Sequence, residues 1–395
     1  MEKLSNQERL HPWQGVVFFV VLMALFVTVF GWMQMAWGIP GLMVTELSFL
    51  AIAVIYALVR KIPLKEMFPV KVPKVREVIG ALLLVVGGAL FGYISIFLVG
   101  TLFPATLEEM SEMNDMLMGK MSLPVMILVV ALTPAVCEEA IHRGAILSHF
   151  RGMKKEWVVV LTMALFFGLN HVSFLRFINT AILGGCLTYV LLKSNNFILN
   201  MLMHFSVNFV ATMISYFSSS ESTASVDYAN TDLSPALGLF LMIGFLAPVL
   251  MVTGAMLVDP KSHRKIRYLF AGILSFVMLV SGFVILIVKA QDMLTVNTTM
   301  SYQVTEENSE CEIPYTIENA GTHQTQCIIT GADDGKYILE IRDSEGNVVD
   351  HSEFGGAAYK EYNMPIEYEE GYYTAVIING EGTEGEQPMI VFQVM

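Results

Sequence analysis

Charge is scarce in this chain of 395 residues: Asp, Glu, Lys and Arg make up 15% of it, against 54% apolar residues. A Walker A loop or other nucleotide-binding signature is missing, so an ATP-driven engine would have to be a separate chain. There is no HExxH pair of zinc ligands, no internal repeat and no low-complexity tract. No cleavable signal peptide is read either, because the first apolar run is too long for one and lacks a small-residue cleavage site. That run is expected to stay as a membrane span.

What the chain does have is long apolar runs, and its mean hydropathy is +0.59. Runs of about eighteen or more apolar residues with few charges read as membrane-spanning helices. About nine transmembrane helices are expected, at 14–36, 41–60, 77–101, 122–148, 156–173, 175–193, 197–218, 234–258 and 268–290. The pair between 156 and 193 is the least clearly delimited. Lys and Arg concentrate in the loops at 60–76, 151–155 and 261–267, which hold 13 of them and all fall on one side. The opposite loops at 104–121 and 219–233 are acidic and hold only Lys120. Arg176, near the turn between spans five and six, is an exception. Basic loops stay cytoplasmic, so the N-terminus is expected inside, the C-terminus outside, and the protein in the cell membrane as a multi-pass chain.

From residue 291 to the end the composition changes. This segment holds 20 acidic and 3 basic residues, so it carries −17 of the net −13 and leaves +4 for residues 1–290. The short β-branched or aromatic runs "EIPYTIEN", "QTQCIITG", "GKYILEIRD", "NVVDHS", "GYYTAVIING" and "PMIVFQVM" alternate with turn clusters such as "DSEGN" and "NGEGTEGE". Roughly seven strands in about 100 residues suggest a β-sandwich. The expected organisation is an all-α polytopic membrane domain over 1–290 and an acidic, extracytoplasmic β-sandwich-like domain over 291–395, open to an envelope partner. Outside the cytoplasm, Cys311 and Cys327 could form a disulfide; free thiols are the alternative. The stripe of Leu107, Met110, Met113, Leu117 and Met121 predicts an amphipathic helix along the outer membrane surface. Gly88 and Gly92 predict close helix packing in span three.

An ionisable side chain at mid-bilayer costs on the order of 2.5–3.5 kcal/mol on insertion scales, so such residues mark pairs or polar cavities. The spans hold few. The strongest are Glu138, Glu139, His142 and Arg143 in span four, Asn170 and His171 in span five, and His204 and Asn208 in span seven, with Glu46 among the remainder. Glu139 and Arg143, four apart in the acid-first order, predict an ion pair. Glu138 points elsewhere on the helix, and its neighbour at that spacing is His142, which is not a permanent cation. That describes a general base, but a lone intramembrane His or a Glu/Arg pair is commonly structural. On the residues alone, proton relay, ion pathway and hydrolysis are all open. The helical rise of about 1.5 Å per residue puts Glu138 and His204 roughly 10–15 Å from the basic ends of their spans and His171 nearer roughly 22 Å. That mismatch shrinks if residues 156–161 lie in the interface.

"EEAIHR" (EExxxR), "FGLNH" (FxxxH, from Phe167) and "HFSVN" (HxxxN) occur in order on predicted spans. In this the chain, over about residues 77–220, resembles the CPBP family of CAAX protease and bacteriocin-processing intramembrane endopeptidases, also called Abi proteins. The resemblance implies hydrolysis of peptide bonds in membrane-associated protein or peptide substrates, within the lipid bilayer and with no nucleic-acid partner. It implies that Glu138 activates water, that Glu139 and Arg143 complete the first motif, and that His171 holds or polarises the water. His204 and Asn208 would bind metal or the oxyanion. The family is described both as metalloproteases and as metal-free glutamate proteases. Zinc or another divalent ion on Glu138, His171 and His204 is one expectation, and Cys137 and Cys186 read as small packing residues. The alternative is a non-catalytic transporter subunit, receptor or scaffold with a polar structural or proton-relay cluster.

Overall fold

A backbone in hydrocarbon must satisfy its own N–H and C=O groups, so the apolar segments of the first 290 residues become helices. The computed structural model describes residues 4, 10–107, 121–218, 233–262, 264–293, 296–301, 304, 310–330, 335–354 and 359–395. It divides into two compact units, Met1–Ile285 and Leu286–Met395, each described by itself. The helices are α1 (Pro12–Trp37), α2 (Ile39–Val59), α3 (Val75–Leu102), α4 (Leu123–Ile146), α5 (Glu156–Asn170), α6 (Phe174–Ser194), α7 (Phe197–Ser218), α8 (Ser234–Gly244), α9 (Ala247–Val258) and α10 (Lys265–Met293). The expected surface helix at 104–121 lies, for 108–120, outside the described residues.

Among the described residues, seven helices are long and apolar enough to cross a membrane, and α8 with α9 makes an eighth span bent by 40°. The bend has a cause: Pro248 lacks the N–H that would bond the carbonyl four residues back, at Gly244. The ninth expected span is α5. It is apolar but only 15 residues long, short of the roughly 20 that a bilayer needs. Among the described residues, seven or eight spans and the short apolar α5 thus agree roughly with the nine expected. Gly88 and Gly92 face α6: a Cβ on Gly88 would stand 3.3 Å from Cys186 Sγ, and one on Gly92 would collide with Asn179. Cys186 itself is buried in the apolar cluster around Leu187 and Val190, and Cys137 in the one around Ile141 and Phe150.

The second unit holds eight antiparallel strands in two four-stranded sheets: β1 (Val296–Ser301), β2 (Glu310–Ile317), β3 (Gly321–Thr330), β4 (Tyr337–Asp343), β5 (Val348–Phe354), β6 (Tyr359–Tyr368), β7 (Gly371–Asn379) and β8 (Met389–Val394). One sheet has the order β1-β8-β3-β6, the other β2-β7-β4-β5. Alternate residues such as Ile313, Tyr315 and Ile317 from one sheet, and Ile390, Phe392 and Val394 from the other, enter one core. This is the sandwich arrangement.

Cys311 on β2 and Cys327 on β3 are free and buried in that core. Burial raises the Cys311 thiol and pushes the Cys327 thiol up to about 12. Slow alkylation of the native protein therefore says nothing about a bridge, since thiolate is the reactive form. The expected result is that both thiols alkylate in denaturant without reductant. Labelling that requires prior reduction would show a disulfide instead.

Candidate active site

The helix carrying the first motif is not a uniform α-helix. Within α4, residues Ile127–Leu132 and Ala140–Ile146 form wider π-helical turns, with an α-helical stretch, Thr133–Glu139, between them. Pro134 lies at the first of these junctions, where its missing N–H takes a bond out of the ladder. Such turns recur at functional sites. Glu139, His142 and Arg143 are fully buried, and Glu138 is 9% exposed.

Glu139 is fully engaged. Its Oε1 is 3.0 Å from Arg143 Nη1 and 3.0 Å from His204 Nδ1, and its Oε2 accepts from Asn200 Nδ2 at 3.2 Å. Asn200 also donates to the Leu187 carbonyl, 2.8 Å away. Arg143 donates from Nη2 to the Gly184 carbonyl at 3.1 Å, and its guanidinium lies 4.3 Å from the Phe167 ring centroid. A Cβ on Gly184 would come 2.6 Å from Phe167 Cβ, so this close approach needs glycine. The predicted i,i+4 ion pair is thus present inside a network from α4, α6 and α7.

Glu138 is placed differently. Its Oε2 is buried without a hydrogen-bond partner among the described residues and lies 3.9 Å from His204 Nε2, too far for a direct bond and wide enough for a water to mediate. His171, at the end of α5, has Nδ1 2.9 Å from the Phe167 carbonyl oxygen. A carbonyl only accepts, so Nδ1 carries the hydrogen there. Next to it Val172 has φ +46°, strained for a β-branched residue and of the kind found at ligand-binding and catalytic turns. The Phe167 ring joins the pieces: its centroid is 5.1 Å from that of His171, 5.7 Å from His204 and 5.2 Å from His142. His171 thus reaches the same cluster as His204 despite its position along the chain. Asn208, one turn beyond His204, donates instead to the Val130 carbonyl at 3.3 Å and is turned toward the backbone of α4.

Three residues outside the sequence-based site belong to this neighbourhood. Glu46 on α2 is buried, with Oε2 lacking a hydrogen-bond partner among the described residues, and interacts electrostatically with Glu138. Arg176, read from the sequence as an exception to the loop charge pattern, interacts with Glu138 from the first turn of α6, so a cation from another helix is within range of the carboxyl. Asn200 had a visible signal: Asn200, His204 and Asn208 recur every four residues on one face of α7. For Glu46 and Arg176 no sequence period connects them to Glu138.

The donor set was also compared with what a metal needs. The Nδ1 atoms of His171 and His204 are both bonded to acceptors, as in metal-bound imidazoles. Among the described residues, however, no group of three or more His, Cys, Asp or Glu side chains is arranged to hold a metal ion. Glu138, His171 and His204 in this geometry do not form a closed ligand set.

No curated protein matches the chain. Solved structures match weakly. The Arthrobacter globiformis T6 isomalto-dextranase complexed with panose is 15% identical over 22% of this chain, with a TM-score of 0.18, and the match spans only 16% of that enzyme's length. The CBM36-1 domain of a multidomain xylanase from the hindgut metagenome of Trinervitermes trinervoides is 13% identical over 25% of this chain and 97% of its own, with a TM-score of 0.20. TmCBM61 in complex with beta-1,4-galactotriose is 16% identical over 27% of this chain and 92% of its own, also at 0.20. Likenesses of that size say nothing further about this protein. The family described as Type II CAAX prenyl endopeptidase Rce1-like matches residues 120–210. That stretch contains Glu138, Glu139, Arg143, His171, His204 and Asn208. The helices that bring the buried carboxylates and imidazoles together are thus the part of this multi-pass membrane chain that matches the CAAX protease (CPBP) family.

Proposed function

We propose that the protein is a CAAX-type intramembrane endopeptidase in which Glu138 activates the hydrolytic water. The observation that carries this is the division of labour between adjacent carboxylates. Glu139 is saturated by Arg143, His204 and Asn200, whereas Glu138 keeps an oxygen without a partner. With Nδ1 of His204 held at Glu139, its Nε2 is aimed toward Glu138, 3.9 Å away. A water between Glu138 and Nε2 of His204, with the His171 ring alongside, would give one proton to Glu138 as its oxygen attacks the substrate carbonyl. The carbonyl π electrons move onto the oxygen, and the second amide N–H of Asn208, the one not given to the Val130 carbonyl, would turn to stabilise that oxyanion. Glu138 then passes the proton to the departing amine as the C–N bond breaks. Arg176 and Glu46 set the field around Glu138.

The direct test uses purified protein in proteoliposomes with a prenylated peptide ending in a CAAX sequence, read by mass spectrometry. Release of a C-terminal fragment with a new carboxyl supports the substrate class. An intact peptide, with cleavage of other membrane-anchored peptides by the same preparation, would move the substrate elsewhere.

A metal-bound alternative makes a different forecast, since a catalytic zinc typically has three protein ligands and an open position. The arrangement described above favours glutamate and histidine, so cleavage is expected to persist in protein shown to be metal-free by elemental analysis. About one equivalent of zinc, lost together with activity on replacing His171 or His204, would overturn this.

For orientation, the 13 basic residues of the loops at 60–76, 151–155 and 261–267 support a cytoplasmic N-terminus. With α5 counted as a short crossing, these three basic loops share one side and the −17 segment after residue 290 would face outward, repelled by anionic lipid and suited to cationic partners. Protease added to intact cells should trim the tail. A susceptible tail that stays protected would reverse the topology.

A further inference from the structure

Away from the polar site, two cavities of the membrane unit adjoin one another. One, of about 930 Å³, opens among Arg151, Lys154, Lys155, Glu156, Lys193 and Arg267. The other, an apolar groove of about 580 Å³, shares Val160, Leu161, Tyr189 and Arg267 with it and continues between α3, α5, α6 and α9 past Ala164, Gly185 and Met251. We propose that the two form a single binding site for one anionic phospholipid, with its phosphate in the basic mouth and an acyl chain in the groove.

Charge decides the headgroup. Lys193 is already held by Glu156 at 2.6 Å and Asp259 at 3.1 Å, and Arg151 is buried, so neither is counted as a ligand. Lys193 also offsets Glu156, the one acid lining the mouth. Lys154, Lys155 and Arg267 are exposed, which leaves three cations facing the cavity without a compensating acid in its lining. Basic pockets between transmembrane helices recognise anionic headgroups in this way. Trp157, 63% exposed at the same mouth, has the amphipathic ring that favours the headgroup level. The groove below is apolar and so takes a hydrocarbon chain.

The site is separate from the carboxylates. On α6 the Gly184 carbonyl accepts from Arg143 on the catalytic side, while its neighbour Gly185 lines the groove. None of Glu138, His171 or His204 is among the groove's lining residues. The inference rests on membrane insertion alone and holds whether or not the chain is a protease.

Native mass spectrometry of the full-length protein, titrated with phosphatidylglycerol or phosphatidylcholine of the same acyl chains, tests it. One phosphatidylglycerol should be retained in strong preference. Each exposed cation is worth roughly fivefold, so the triple variant Lys154→Gln, Lys155→Gln, Arg267→Gln should reduce that preference by about 100-fold. Gly185→Leu should fill the groove and weaken both lipids. Its Cβ would meet Ala164 Cβ at an ordinary 3.5 Å, so the backbone has room for it. Equal retention of the two lipids by the wild-type protein, or a triple variant that keeps its preference, overturns the proposal. So does full displacement of the lipid by inorganic phosphate, which would make this an anion site with no acyl component, or by a prenylated peptide, which would assign the groove to substrate.

Discussion

Glu138→Gln should lower peptide-bond cleavage by roughly 10²–10⁴-fold, the range for removing a general base, in a protein that still inserts and folds. The substitution keeps the shape of the side chain and both hydrogen-bonding positions but cannot accept the proton of water. Folding should survive because Glu138 makes few of the bonds that hold the site together: one oxygen has no partner, and the network linking α4, α6 and α7 runs through Glu139 and Arg143. Glu46→Gln serves as a comparison. It removes the neighbouring carboxyl while leaving the base, so it should displace the pH optimum of cleavage and retain measurable turnover. Near-normal rates for a folded Glu138→Gln protein would end the assignment of Glu138 as base.

The second large effect is on stability. Glu139 and Arg143 are both fully buried and 3.0 Å apart, so removing one partner leaves a charge buried with reduced compensation, at a cost of roughly 3–5 kcal/mol. Arg143→Met should be the worse single change. It strands the Glu139 carboxylate, takes one of two side-chain donors from the Gly184 carbonyl, leaving Thr188 Oγ1 at 2.7 Å, and removes the cation over Phe167. Glu139→Gln keeps an oxygen that can still accept from His204. The double variant Glu139→Gln, Arg143→Met should be clearly more stable than the sum of the single losses, as measured by thermal unfolding in detergent. Additive losses would show that the two do not interact.

The sequence carried some of this arrangement openly. Apolar run length marks the long helices of the membrane unit, because hydrocarbon leaves no other solution for the backbone, and the i,i+4 rule predicts the Glu139–Arg143 pair. Run length alone did not show how short α5 is, since "VSF" after His171 prolongs the apolar stretch while the chain turns at Val172. In the second unit, the strands absent from the quoted sequence runs are β1, "VNTTMS", and β6, "YKEYNMPIEY". Both are edges of the same sheet, and edge strands tolerate the polar residues and the proline that hide them from pattern reading. The field around Glu138 was illegible for another reason. Glu46 and Arg176 reach it from α2 and α6, through tertiary contacts that leave no periodic trace in the sequence.

The central claim, that this buried cluster hydrolyses peptide bonds of membrane-associated substrates, is tested most directly in cells by comparing the membrane peptidome with wild-type protein and with Glu138→Gln protein at equal abundance. New peptide termini that appear only with the wild-type protein, and their uncleaved precursors accumulating with the variant, are the predicted result. Identical peptidomes, with both proteins folded and in the membrane, would contradict it and leave the cluster a structural or proton-relay device.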